Sequence, residues 1–419
     1  MIDAGAAELA RLIRERELSP IEVLAAFRAR ADEVNAIVTA APDAEELARE
    51  AETAVARGGT LGPLHGVPFT VKDTFDTAGL RTTRGSLLFA DHVPARDAAA
   101  VAALKAAGGI LLGKTNTPEF ALWWETDNRV FGRTSNPWDP ERTAGGSSGG
   151  EAAALAAGLT PLGLGSDLGG SIRLPASWCG VVGFKPSHGR IPLDGHWPET
   201  LLEFTHAGPL GRSVADAALA FSVLAPGAST TMSLGSEPAF GVAPAAFGPL
   251  DPEVAQAVGE AGAALGAEQV ELELPDCDLL TRVLYRTMSA TYFAGVVGDR
   301  WDDLHPFLRQ RLGGPDPTPD DAMWVEDELE RLRNRLGGFF WDFDILVAPT
   351  TPSPAGRHGE TDRRQMRATI PFDLTGSPAI SVPFGRSGEG LPIGVQLVGR
   401  HGEDELVLDA ARALEAVRP

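Results

Sequence analysis

Long apolar runs, cysteine and lysine are scarce in this sequence. No stretch approaches roughly 18 uninterrupted apolar residues, which excludes a membrane-spanning helix. Only two cysteines, Cys179 and Cys277, occur in 419 residues. They make no disulfide framework, and a reduced, cytoplasmic setting is the expectation. No Cys/His cluster has zinc spacing and the eight histidines are scattered, so no metal is expected. Met1-Ile2-Asp3-Ala4-Gly5 has neither a basic nor an apolar leader region, so no secretory signal is expected. Positive charge is short overall: 36 Lys+Arg face 57 Asp+Glu, a formal net charge of −21. Such a surface repels phosphate backbones and anionic membranes, which argues against a nucleic-acid role and serves solubility.

Within that small positive set, only Lys72, Lys105, Lys114 and Lys185 are lysines. The chain writes arginine almost everywhere else. A position that keeps lysine can therefore need what arginine cannot do, which is to give up its proton. The remainder is ordinary: 43% hydrophobic and 22% charged residues, enough for a large core.

The first sixty residues read helical. Leu9, Ala10, Leu12 and Ile13 form one apolar stripe; Ser19-Pro20-Ile21-Glu22 is a capping box opening a second helix through about Val34; a third runs from Glu45 to Arg57. Short apolar strands then alternate with helices. Strands are expected at Val67–Val71, Ile110–Leu112, Phe240–Val242, Val270–Leu274, Ile345–Ala348, Ala379–Val382 and Val395–Val398. Helices are expected at Ala98–Ala107, Gly149–Ala157, Val214–Leu224, Pro252–Leu265 and Asp404–Val417. This alternation predicts an α/β chain: one large domain with a mixed, twisted sheet covered by helices on both faces. The least informative stretch, about 225–336, holds a Gly313-Gly314-Pro315-Asp316-Pro317 loop and an amphipathic helix near Ala322–Arg335.

Chemistry concentrates in three places. Lys72 ends the apolar strand Val67-Pro68-Phe69-Thr70-Val71, and strand alternation sends Lys72 and Asp73 to opposite sides. A lysine so buried loses solvation, its pKa falls, and its neutral amine becomes a general base; a snorkelling strand-end lysine is the plainer alternative. The loop Gly145-Gly146-Ser147-Ser148-Gly149-Gly150 runs into the helix beginning Glu151-Ala152-Ala153. It could be an anion nest, although a P-loop lysine is missing. It also matches the G-x-S-x-G elbow, which would make Ser147 a nucleophile and require a late histidine such as His358 or His401, neither of which stands in an informative motif. The third place is Gly165-Ser166-Asp167-Leu168-Gly169-Gly170-Ser171-Ile172-Arg173. Successive N–H groups of Leu168, Gly169, Gly170 and Ser171 can converge as an oxyanion hole, with the Ser171 hydroxyl as a nucleophile beside it. A glycine-rich strand-to-helix turn is the structural alternative.

Taken together these segments resemble the amidase signature family. The matching runs are Gly66-Val67-Pro68-Phe69-Thr70-Val71-Lys72-Asp73, Gly113-Lys114-Thr115-Asn116-Thr117-Pro118-Glu119-Phe120, the two serine-glycine loops and Cys179-Gly180-Val181-Val182-Gly183-Phe184-Lys185-Pro186. Gly208-Pro209-Leu210-Gly211-Arg212-Ser213, Pro371-Phe372-Asp373-Leu374-Thr375-Gly376-Ser377-Pro378-Ala379 and Leu391-Pro392-Ile393-Gly394-Val395-Gln396-Leu397-Val398-Gly399 match too. Departures are small: Ala144 stands where Pro is frequent and Ser187-His188 where Thr-Tyr is frequent.

The resemblance implies a Ser-Ser-Lys triad: Lys72 as base, Ser147 as bridging serine after a cis Gly146–Ser147 peptide, and Ser171 as nucleophile. The positions are 75 and 24 residues apart. Gly146, Ser148, Asp167 and Arg173 would support them. It implies hydrolysis of a small-molecule amide through an acyl-enzyme, with no metal or organic cofactor. It further implies one amidase domain over 1–419: a helical segment at 1–60, a catalytic core at 65–215, a variable region at 225–336 and the last part of the sheet at 340–419. Trp123, Trp124, Trp197 and Phe204 are candidates for an apolar acyl pocket, against plain core packing. Two other readings stay open: an A-subunit-like glutaminase that passes ammonia to a partner chain, and a non-catalytic scaffold of the same fold. A homodimer is compatible with the sequence and not specified by it.

Overall fold

The computed structural model describes residues 4–229, 238–313 and 317–418; Met1–Asp3 of the leader reading and residues 314–316 of the 313–317 loop lie outside them. The strands are β1 (Ile37–Ala40), β2 (Pro68–Lys72), β3 (Ile110–Thr115), β4 (Ser135–Asn136), β5 (Asp139–Thr143), β6 (Leu162–Asp167) and β7 (Val182–Lys185). They continue with β8 (His206–Gly211), β9 (Phe240–Val242), β10 (Glu268–Gln269), β11 (Ile345–Pro349), β12 (Ala379–Arg386) and β13 (Pro392–Gly399). Eleven of them form one mixed sheet in the order β1-β3-β2-β6-β8-β7-β12-β13-β11-β9-β10, and β4-β5 is a separate hairpin.

Side-chain alternation divides this sheet between two apolar layers. On β11, β12 and β13, Ile345, Val347, Ile380, Val382, Val395 and Leu397 face a layer built with the N-terminal helices and the helices Val214–Leu224 and Asp404–Ala416. Leu346, Ala348, Ala379 and Val398 face the other, which holds Trp178, Phe339, Phe340 and Phe372. On β2 the same alternation puts Phe69 and Val71 into the first layer. Thr70 and Lys72 are left for the opposite face, where the helix Gly149–Ala156 lies. The expected α/β sheet with helices on both faces is therefore present. Among the described residues, no helix is long and apolar enough to cross a membrane.

Several element boundaries moved, each for a local reason. The second helix stops at Arg28, not Val34: the Asp32 carboxylate accepts the N–H groups of Val34, Ala36 and Ile37, and Asn35 takes a positive φ of 54°. The expected strand Val270–Leu274 is not one. Only Glu268–Gln269 pairs, parallel with β9, and the ladder ends with Val270 N–H donating to Val242 O at 3.0 Å. Beyond that point the chain has no partner strand, although Leu272 and Leu274 still pack on the second layer. The helix near Ala322–Arg335 is longer, Pro319–Asp342, and a 21-residue helix, Cys277–Val297, precedes it.

Strands β6 and β8 escape sequence reading because their composition is Leu-Gly-Leu-Gly-Ser-Asp and His-Ala-Gly-Pro-Leu-Gly. Their glycines answer to crowding at the sheet centre. A Cβ on Gly208 would lie 2.1 Å from Phe184 O, and one on Gly163 would lie 2.2 Å from the Glu151 carboxylate.

The N-terminal helix is tied to this body through Asp216. That buried carboxylate accepts from Ala7 N–H at 2.9 Å and from the N–H groups of Arg212 and Ser213 at 3.1 and 3.0 Å. Asp216→Ala strands three backbone donors at once, and a loss of about 2 kcal/mol is expected in urea unfolding. A change below about 0.5 kcal/mol would mean that other contacts anchor that helix.

Candidate active site

β2 and β6 are adjacent and parallel, with Val71 opposite Leu164, so Lys72 and Ser166 emerge at neighbouring carboxyl ends. This is where ligand sites form in open α/β sheets. The Lys72 ammonium, fully buried, donates to Ser147 Oγ at 2.7 Å, to Ser166 Oγ at 3.0 Å and to Ser166 O at 3.3 Å. Burial pulls its pKa down to about 7, while Asp167 and Glu151 oppose the shift. Asp73 points away, as expected, and accepts from Thr83 N–H and Oγ1–H at 2.9 and 2.6 Å.

The other buried lysines make a useful contrast. Lys114 donates to the Phe75 carbonyl and to the hydroxyls of Thr77 and Thr82, and faces Asp73 at 3.8 Å. Lys185 donates to Pro186 O at 3.2 Å and Ser377 O at 2.5 Å. Burial lowers them to about 8 and about 7. Each is spent on carbonyls or on a loop. Lys72 alone of the three faces Ser147.

The loop that carries Ser147 is held by its neighbours. Gly145 N–H donates to Thr143 Oγ1 at 3.0 Å and Gly145 O accepts from Thr126 Oγ1 at 2.8 Å. Thr117 Oγ1 donates to Ser147 O at 2.9 Å. The Gly146–Ser147 peptide is cis, as the resemblance implies. A Cβ on Gly146 would come 3.0 Å from Trp123 O and from Glu125 N, so this loop lies flush against the Trp123–Glu125 backbone. Ser148 connects the two loops: its N–H donates to Ser171 O at 3.1 Å and its hydroxyl to Ser166 O at 3.2 Å.

Asp167, fully buried, organises the second loop. It accepts from the N–H groups of Gly170, Ile172 and Arg173, so one carboxylate caps the start of the helix Arg173–Cys179. The same carboxylate takes Arg173 Nε–H at 3.0 Å, and Arg173 reaches across to Asp373 at 2.8 Å. Burial alone would raise Asp167, but the Arg173 guanidinium holds it well below the usual carboxylate range. Asp373 is pushed well up by burial and by Asp167.

One expected oxyanion donor is thereby withdrawn. Gly170 N–H is committed to Asp167, while Leu168, Gly169 and Ser171 N–H have no acceptor among the described residues. Ser171 is half-buried, and its hydroxyl has no hydrogen-bond partner among the described residues. The structure thus brings Lys72 to Ser147, and joins Ser171 to Ser148 through the main chain rather than to Ser147 through hydroxyls.

Three of the four aromatic candidates, Trp123, Trp124 and Phe204, share the second apolar layer, and Trp197 stands apart from them. Trp123 stacks on Phe307 with centroids 4.5 Å apart, and Trp124 donates its indole N–H to Thr361 at 3.0 Å, both beside the Ser147 loop. Trp197 belongs to a separate cluster with Phe120 and Phe293. Phe204 packs in the second apolar layer. Core packing accounts for the last two.

Two participants were missed. Ser166 lies inside a quoted motif, but its place beside Lys72 depends on β2 and β6 being neighbours, which strand order alone decides. Glu151, in the first turn of its helix, accepts from Thr70 at 2.5 Å and Thr115 at 2.8 Å, and burial raises it to about 8. Its placement three residues after Ser148 was the available signal. Among the described residues no group of three His, Cys, Asp or Glu side chains could hold a metal ion.

Comparison with known proteins places the chain in a family. The family model described as Amidase matches residues 22–408. The chain is 37% identical to the A-subunit of a glutamyl-tRNA(Gln) amidotransferase from Moorella thermoacetica, covering 97% of this chain and 95% of the relative. It is 36% identical to an acylamidase of Rhodococcus erythropolis, over 99% and 95%. A solved structure described as an amidase superposes with a TM-score of 0.91 at 35% identity, covering 99% of this chain and all of that one.

Gly170 tests how rigid the second loop is. It has φ +118°, and a Cβ there would lie 2.2 Å from Thr369 Oγ1. Gly170→Ala should cost about 2 kcal/mol or more, read as a lowered urea midpoint. An unchanged midpoint would show that the loop reshapes freely.

Proposed function

The chain belongs to the amidase signature family, and from that premise we propose that it hydrolyses a small carboxylic amide through a Ser171 acyl-enzyme, with Ser147 and Lys72 as proton relay. One observation carries the reading: a buried lysine with a pKa near 7 donates at 2.7 Å to a serine hydroxyl in the first glycine loop, one residue from the Ser148 N–H that meets Ser171 O.

In the reaction, neutral Lys72 takes the proton of Ser147, which takes that of Ser171. The Ser171 Oγ forms a bond to the amide carbon, and the carbonyl becomes an oxyanion facing the Leu168, Gly169 and Ser171 N–H groups. A single such donor is worth roughly 3–4 kcal/mol of transition-state stabilisation. The protons return through Ser147 to the leaving nitrogen as the C–N bond breaks, since an amine leaves poorly unless protonated. Water then repeats the relay and releases the acid. Catalytic hydrogen bonds often tighten only when substrate arrives, and the Ser147–Ser171 link is expected to close in the substrate complex.

The supporting residues have defined tasks in this scheme. Asp167 and Arg173 fix the Ser171 loop, Ser148 fixes its spacing from the Ser147 loop, and Gly146 admits the Trp123–Glu125 backbone. The amidotransferase relative keeps a second reading in view: glutamine hydrolysis with ammonia passed to a partner chain. Glutaminase activity appearing only with a partner present would select it.

Ser171→Ala should abolish amide turnover and the labelling by a fluorophosphonate while leaving the unfolding midpoint unchanged; retained turnover overturns the mechanism. Lys72→Arg should lose at least about 10²-fold in kcat, because a guanidinium keeps its proton. The pH profile has a definite sign. The deprotonated amine is the active form, so kcat/KM should rise with pH through an apparent pKa near 7 and level above it. A rate flat from pH 5 to 9 would remove Lys72 from the base role.

A further inference from the structure

The peptide between Gly169 and Gly170 is the softest point of the Ser171 loop. It is a rigid plane, but it hangs between two Cα atoms that carry no side chain to limit rotation. The Gly169 N–H sits at one end of it, and the Gly170–Ser171 peptide, with the Ser171 N–H, is hinged to the other. Where this plane is held therefore sets where those donors stand.

Both of its polar groups are held from outside. Gly170 N–H donates to Asp167. Gly169 O accepts from the Thr369 hydroxyl at 2.7 Å, and no other donor among the described residues reaches it. Both glycines are buried and Thr369 is fully so.

The Thr369 hydroxyl is in an unusual employment. Thr369 stands at the N-terminal cap of the helix Ile370–Leu374, where a threonine oxygen ordinarily accepts from the helix's own first N–H groups. It makes no such bond. Its single proton has two carbonyls in reach, Gly169 O and, at 2.9 Å, Met366 O. Met366 O already receives Thr369 N–H at 3.0 Å, so the carbonyl that depends on the hydroxyl is Gly169 O. The Thr369 carbonyl is fixed in turn by Arg173, which donates to it at 3.1 Å and also pairs with Asp167. One guanidinium thus sets both sides of the clamp on the glycine peptide.

We propose that Thr369 is a positioning residue of the oxyanion hole, its hydroxyl holding the Gly169 carbonyl and, through that peptide, the Gly169 and Ser171 N–H groups; this role rests on the reading of Ser171 as the nucleophile of an amidase. Thr369 acts through the backbone and touches no reacting atom. Preorganised donors act where charge develops in the transition state. Its effect therefore belongs in kcat and not in KM.

The test uses Thr369→Val, which keeps the shape and removes the donor, and Thr369→Ser, which keeps the donor. Acetamide, benzamide, p-nitroacetanilide and glutamine are the amides assayed. On any of these that the wild-type protein hydrolyses, Thr369→Val should lose at least about 10-fold in kcat with KM within about 2-fold, and Thr369→Ser should recover to within about 3-fold of wild type. The midpoint of the pH profile should be the same in all three proteins, because Lys72 is untouched. Fluorophosphonate labelling of Ser171 places a phosphoryl oxygen in the same hole and needs no amide; it should slow at least about 10-fold in Thr369→Val. An unchanged kcat or labelling rate in Thr369→Val overturns the role of Thr369 while leaving amide hydrolysis standing. So does a loss confined to KM, a shifted pH midpoint, or a Thr369→Ser protein as slow as Thr369→Val. Wild-type protein that neither labels nor hydrolyses any of the four amides overturns the amidase reading instead; where only one of the two occurs, that one decides. Should Thr369→Val not fold, Thr369→Cys takes its place: its thiol is a weaker donor, so it should be slower than Thr369→Ser, and wild-type rates in it reject the proposal.

Discussion

The buried pairing of Arg173 with Asp167 and Asp373 is the constraint on which the site depends. Arg173 and both carboxylates are fully inside the protein. The guanidinium also donates to Thr369 O at 3.1 Å and Gln396 at 3.3 Å. One side chain thus joins the end of β6, the Ser171 loop, the helix Ile370–Leu374 and β13. Buried ion pairs contribute little net stability, but losing one partner leaves an uncompensated charge at a cost of about 3–5 kcal/mol. The consequence here is position. Asp167 cannot turn away from Arg173, so the N–H groups it caps, including Gly170, stay where they are.

Desolvation works on the same ground from the other direction. The face of β2 that carries Lys72 is closed by Glu151 and the helix that bears it, so a cation there is disfavoured and the lysine sits near its neutral form. Glu151 is disfavoured as an anion for the same reason. Burial moves each of the two groups toward neutrality. That leaves Lys72 free to exchange a proton with a hydroxyl. Lys114 and Lys185 suffer the same burial, but their donors are used on carbonyl oxygens and loop hydroxyls, which makes them struts.

Much of the fold was legible because side-chain period reports burial. The strands at Val67–Val71, Ile345–Ala348 and Val395–Val398, the helix capped at Ser19 and the helix Val214–Leu224 followed from local rules that the structure also obeys. The errors came where a neighbour decided the outcome. Val270–Leu274 alternates like a strand but runs off the sheet edge. β6 and β8 look like turns because glycine is required at the centre by the closeness of Phe184 and Glu151.

The sequence by itself determined the family and the anomaly of lysine in a chain that prefers arginine, and it singled out Lys72, Ser147 and Ser171 as candidates for the chemistry, because motif spacing and residue choice are local properties. Only the tertiary structure decided which lysine faces a serine, that Ser166 and Glu151 stand beside it, and that Gly170 gives its N–H to Asp167. Those facts depend on strand order and on which helices close over the sheet. Burial, which sets the charge state of each group, is a sum over contacts from segments far apart in the chain, and no single stretch of sequence carries it.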